Sequence, residues 1–294
     1  LKYTDVLDLV GVDFGYNLSD FNLSRPEDSF LSNAPSTQYA NLDDYGTLSL
    51  LAPNDILSYI TLTYIDSTGS QIGTEDIDRL TINGAYDGYN GYIGMELLYF
   101  GCFPANLQNW STTFKALVTA GTIQGGSIVI QPFNDSSIEI SQQYTINLNC
   151  PTLKGFEPIR LTWLNQWGVW DYYTFNMKST KMISTKGSTY QQIEGTWNES
   201  VYQINGFKGG KKAFRVNATE KITMNTGFVN ESESEWFEEL INSPEVYILK
   251  GYNDVVETSS ALNQYVTPVR LTTSSFTKKT VANDKLMQYT FEVE

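Results

Sequence analysis

The chain has 294 residues, 41% apolar and 18% charged, which excludes a disordered polymer and leaves ample length to bury a core without disulfide staples. It contains no His, which removes Ser-His-Asp and Cys-His catalysis and every His-ligated metal site. The net charge of −14 is concentrated in residues 1–150, where four basic residues meet 17 acidic ones. That half is unsuited to nucleic acid, whose phosphates need Lys and Arg, and suited to solubility or to a basic partner surface.

Aromatic residues make up 14% of the chain and include 19 Tyr, which together with abundant Thr and Ser favours strands over helices. The length suggests about two domains. Cys102 and Cys150 allow one disulfide or two buried free thiols, and two Cys cannot build a four-thiolate zinc site. No run approaches the ~18–20 apolar residues of a membrane helix. No secretory signal is legible, and an opening Leu1 leaves a processed N-terminus open.

Residues 1–50 are the least regular part, with turn-rich Asn17–Asp20 and Asn22–Pro26 and a polar Ser32–Ala40. They read as an extended arm ordered against a neighbour or as a long loop on their own domain. Ile56–Ile65 alternates, Asp66–Gly69 turns, and Ser70–Ile72 resumes a strand, which predicts a hairpin. Further strands are predicted at Ile93–Gly101, Phe114–Ala120, Ser127–Phe133 and Tyr144–Asn149. Their spacing suggests a β-sandwich over 51–150, with Pro151 and Gly155 marking a boundary to a second β domain over 151–294.

The densest aromatic stretch is Phe156–Phe175, FEPIRLTWLNQWGVWDYYTF. It predicts a hairpin turning at Asn165–Gly168, read as a core hairpin of a sandwich. The alternative is an aromatic platform for sugars, with Trp167 and Trp170 as the stacking residues. Strand character continues at Ser179–Gln192 and Phe214–Thr223 around a turn-rich Gly195–Lys211. A single short helix is predicted at about 233–242, with Ser232 and Glu235 as a capping box and Trp236, Phe237, Leu240 and Ile241 as one apolar stripe. Ser243-Pro244 stops it, and Glu245–Leu249 follows as a strand. Pro268 demotes Val266–Leu271 to an edge strand or bulge. Leu286–Glu294 alternates strictly to the end. The expected architecture is mainly β, two sandwich-like domains with one short helix in the second.

No P-loop, GxSxG elbow, HExxH or paired CxxC is present. Glu157 and Asp171 flank the aromatic hairpin and are the one carboxylate pair to test for glycoside hydrolysis. Asp76 and Asp78 lack the full oxygen-ligand loop of a calcium site and read as a solvated loop. Lys208–Lys212, KGGKK, reads as an exposed hairpin tip, lacking the strand–helix context of a phosphate loop. Asn109-Trp110-Ser111 and Asn217-Ala218-Thr219 match the N-glycosylation triplet, as chance allows in an Asn- and Thr-rich chain. No cofactor is expected.

Five stretches together carry a resemblance: Phe156–Thr180, Thr226–Leu249 (TGFVNESESEWFEELINSPEVYIL), Leu271–Glu294, and upstream Leu97–Trp110 with Tyr144–Pro151. They resemble virion structural proteins of tailed bacteriophages, particularly phages of Bacteroidetes-type and marine hosts. The resemblance covers most of residues 97–294 and little of 1–90. It implies a non-enzymatic component of the neck or tail (a ring, hub or baseplate protein), assembled in the bacterial host cytoplasm and located in the virion. It implies a homo-oligomeric ring in contact with other neck or tail proteins, without nucleic acid or a membrane span, and carries over no catalytic residue. The interface candidates are the helix around Trp236 and Phe237, the basic loop with Lys208, Lys211 and Lys212, and the N-terminal segment. A receptor- or carbohydrate-binding module of a tail is the alternative.

Overall fold

The computed structural model describes residues 30–53, 57–78, 95–149, 156–193, 195, 200–203, 210–250, 266–273, 275 and 287–294. The described chain is mainly β, with fourteen strands and three helices. The strands form four sheets.

The first half is built on a five-stranded sheet in the order β1-β7-β6-β3-β4, faced by a pair β2-β5. Its strands are β1 (Thr37–Ala40), β3 (Tyr59–Ile65), β4 (Gln71–Asp78), β6 (Ser127–Phe133) and β7 (Tyr144–Leu148). The pair is β2 (Leu48–Pro53) and β5 (Met95–Phe100). Alternation decides which face is dry: β3 and β6 bury every second residue, so Ile60, Leu62, Tyr64, Ile128 and Ile130 point inward. Leu48, Leu50, Leu98 and Phe100 close the same core from the β2-β5 side. The β3–β4 turn is held by Asp66, whose carboxylate accepts from the Thr68 and Ser70 amides at 2.8 and 2.9 Å. Gly69 supplies the positive φ of 87° that this turn requires.

Three expectations are corrected here. Residues 30–50 are woven into the fold rather than irregular, because β1 pairs in parallel with β7 and β2 pairs antiparallel with β5; residues 1–29 lie outside the described residues. Phe114–Ala120 is not a strand but most of helix α2 (Thr112–Ala120), which follows α1 (Pro104–Trp110). Ser111 caps α2 by accepting from the Phe114 amide, and Gly121 ends it in the left-handed region at φ 72°. Asp76 and Asp78 belong to β4 and not to a loop.

The second half pairs a four-stranded sheet, β13-β12-β8-β9, with a three-stranded one, β10-β11-β14. Strands β8 (Ile159–Leu164) and β9 (Trp170–Phe175) form the predicted hairpin, and β12 (Val246–Leu249) and β13 (Val266–Val269) extend its sheet. Asn165 makes the turn: its side-chain oxygen accepts from the Trp167 and Val169 amides, and Gly168 takes φ 75°. β13, which carries Pro268, lies at the sheet edge, where a missing N–H costs least. The other sheet comprises β10 (Thr180–Gln192), β11 (Gly210–Asn225) and β14 (Thr290–Val293). Helix α3 (Glu231–Asn242) packs its stripe between the two sheets. Its cap is Asn230 with Glu233, two residues ahead of the predicted Ser232 and Glu235.

β8 is buried on both faces. Ile159, Leu161 and Trp163 face α3, while Arg160 and Thr162 face the first half of the chain. Arg160 is the principal link. Its Nη1 lies 3.3 Å from Asp44 and donates to Thr174 at 2.7 Å, its Nε donates to the Tyr45 carbonyl, and its guanidinium lies 4.8 Å from the Phe103 ring centre.

Candidate functional site

The strands β10 and β11 pair over thirteen positions, and β14 joins β11 only from Ile222 to Asn225. From Lys221 outward no further strand among the described residues joins the pair, which forms a ribbon of 11 paired positions, about 36 Å long at ~3.3 Å per residue. Every β10 residue from Thr180 to Gln191 is exposed, as are β11 residues from Lys211 to Ala218. An isolated two-stranded ribbon is marginal in water and offers unpaired backbone groups along both edges.

This ribbon also carries apolar side chains where solvent would favour polar ones. Ile183 is 68% exposed, Phe214 78%, Val216 59% and Met182 56%. Phe214 is the extra residue at a bulge, because Ser188 pairs with Arg215 while Thr189 pairs with Ala213. The strands hold six basic side chains (Lys181, Lys186, Lys211, Lys212, Arg215 and Lys221) and one acidic, Glu220. In a chain of net charge −14, this is a local basic arm. Two of the cations are committed at its base: Lys181 pairs with Glu157 at 2.8 Å and Lys221 with Glu292 at 3.0 Å. A groove of about 650 Å³ lies there between the sheets, with Ile222, Ile248, Pro268 and Val293 among its walls.

The sequence-derived candidates are distributed unevenly around this arm. Lys211 and Lys212 stand exposed near its far end, opposite Gln191 and Tyr190, and Lys208 lies outside the described residues. Trp236 and Phe237, singled out as contact residues, are instead 1% and 0% exposed, because their stripe completes the chain's own core. The Trp236 ring lies 5.0 Å from Trp163. Trp167 is half-buried against Leu31 and Val169, and half-buried Trp170 meets Tyr247 edge-on at 5.5 Å. These two rings therefore pack on different neighbours and build no common platform.

The carboxylate pair Glu157 and Asp171 is not assembled. Glu157 is exposed just before β8, whereas Asp171 is buried opposite Trp163, about 20 Å of strand away. Asp171 accepts from Trp236 Nε1 at 2.8 Å. Burial pushes its pKa up to about 6. Glu239, bonded to the Asn33 side chain, is pushed up to about 7 by burial, with the Asp171 charge adding to the rise. Cys102 is a free, fully buried thiol whose pKa burial raises, and Cys150 lies outside the described residues. Among the described residues, no group of three or more His, Cys, Asp or Glu is gathered as a metal site. Among them, too, no helix is long and apolar enough to cross a membrane.

No protein-family model, no curated protein and no solved structure matches the chain.

The ribbon was only half visible in the sequence. Its strands were predicted, but nothing local says that the partner sheet stops at Ile222 and leaves the outer rows uncovered. The signal available was composition: both strands are rich in Thr, Lys and isolated apolar residues without a strict inward face.

Proposed function

We propose that the chain is a non-enzymatic structural subunit of a tailed-phage virion, part of a neck or tail ring, hub or baseplate. Homo-oligomeric and inter-layer contacts hold it there, and its work is mechanical. The observation that carries this reading is the β10–β11 ribbon, basic and studded with exposed Ile183, Phe214 and Val216. An arm of this kind stabilises itself by lying on another subunit, where its apolar side chains leave water and its edges gain partners. Head-to-tail contacts of that kind close into rings when the rotation permits. The resemblance of the stretches quoted from most of residues 97–294 to tailed-phage virion proteins supports the setting.

The test is the mass and shape of the full chain in solution, by light scattering and negative-stain imaging, together with protein identification in purified particles. The expected result is a closed oligomer and presence in the virion. A chain that stays monomeric at every concentration and is absent from particles overturns the reading.

A further inference from the structure

We propose that the ribbon of one copy lies across the outer face of the five-stranded sheet of a second copy, basic rows on acidic rows. This rests on the assembly reading above and names the partner surface.

Directly opposed residues of a strand pair share a face. On one ribbon face this places Lys186, Arg215 and Lys212 in successive rows, through the pairings Lys186–Asn217, Ser188–Arg215 and Tyr190–Lys212. Met182 and Tyr190, 56% and 46% exposed, lie on the same face. The three cations therefore span about 13 Å, two same-face steps of ~6.6 Å each. Among the described residues no carboxylate pairs with any of them.

The receiving surface is the side of the five-stranded sheet turned away from its core. The same rule aligns Asp78, Tyr59, Phe133 and Glu139 in one row across β4, β3, β6 and the bridge beyond. Asp76 and Thr61 stand in the next row. Asp76, Asp78 and Glu139 are exposed, and Tyr59 and Phe133 stack at 5.3 Å between them. Asp78 and Glu139 are three strand spacings apart, about 14 Å at ~4.8 Å each. The two patches thus match in sign and in span. The cations would reach the carboxylates that flank the Tyr59–Phe133 pair. Within one subunit both patches are exposed and do not meet, so the complementary face the ribbon meets is that of a neighbour.

The experiment uses the full chain, of monomer mass 33.1 kDa, in sedimentation velocity at low and high salt. One variant carries Lys186→Glu, Lys212→Glu and Arg215→Glu; the other carries Asp76→Lys, Asp78→Lys and Glu139→Lys. All six sites are exposed, so each variant is expected to keep the wild-type circular dichroism and melting profile. The expected result is a wild-type oligomer that weakens with salt, and two variants that each associate about 100-fold more weakly. Mixing the two restores association, because reversed charges meet reversed charges. A wild-type oligomer untouched by either variant, or variants that fail to rescue each other, overturns this docking and leaves the assembly reading standing. A wild-type monomer at all concentrations overturns both.

Discussion

Asp171 is a carboxylate on the sheet face that packs against a tryptophan-bearing helix, and that placement has a measurable consequence. Burial raises its pKa from an ordinary 3.8 to about 6. The folded state therefore binds its proton more tightly than the unfolded chain does. Its stabilising contribution is complete below pH ~4 and is lost as pH rises to ~6, by about 3 kcal/mol from a shift of roughly two pKa units. That is a sizeable share of a typical stability of about 5–15 kcal/mol. Urea unfolding of wild type and Asp171→Asn between pH 4 and pH 7 should show the wild type losing about 3 kcal/mol relative to the variant. Parallel pH profiles would mean that the carboxylate is solvated. From sequence, Asp171 reads as one of two carboxylates flanking an aromatic hairpin. Its partner Trp236 is 65 residues away, and only the closed fold brings the indole N–H to it.

At the scale of elements, legibility tracked how local the deciding interaction is. Strands β3, β6 and β7 were readable because one buried face imposes period-2 alternation, and the β8–β9 hairpin because Ile159, Leu161 and Trp163 alternate with Arg160 and Thr162 ahead of turn residues Asn165 and Gly168. Helix α2 was misread for the same reason: Phe114, Ala116, Val118 and Ala120 alternate with Lys115 and Thr119 and so imitate a strand. The signals that settle it are its ends, the Ser111 cap and the left-handed Gly121. Helix α3 was found, but its start was placed late because two Asx/Ser-x-x-Glu frames overlap there. The structure uses Asn230, which accepts from the Glu233 amide at 3.0 Å while Glu233 accepts from the Asn230 amide at 2.7 Å. Asn230→Ala should therefore cost about 1 kcal/mol in a urea titration, and Asn230→Asp, which keeps the acceptor, only a few tenths. Equal losses in both would remove the cap as the cause.

At the scale of the whole molecule, two large hydrophobic clusters meet across a polar seam centred on Arg160. The boundary expected at Pro151 and Gly155 falls outside the described residues, and the seam was not legible, since Asp44, Phe103, Arg160 and Thr174 are scattered through the chain. Burying a guanidinium is tolerable only with a close counter-charge. Asp44 provides the charge, accepts from Thr174 at 2.7 Å, and accepts from the Asn41 amide at 2.8 Å. Thr47 and Tyr172 add a hydrogen bond at 2.9 Å, and Asn165 donates to the Leu31 carbonyl. With this many shared bonds, the halves should open as one unit. Asp44→Ala leaves Arg160 buried without its ion-pair partner, at a cost of about 3–5 kcal/mol. Hydrogen exchange should then accelerate about 100-fold or more in β3 of the first cluster and in β8 of the second alike, because both report the same global opening. Faster exchange in β8 with β3 unchanged would mean that the clusters are independent and that the seam joins them without coupling them.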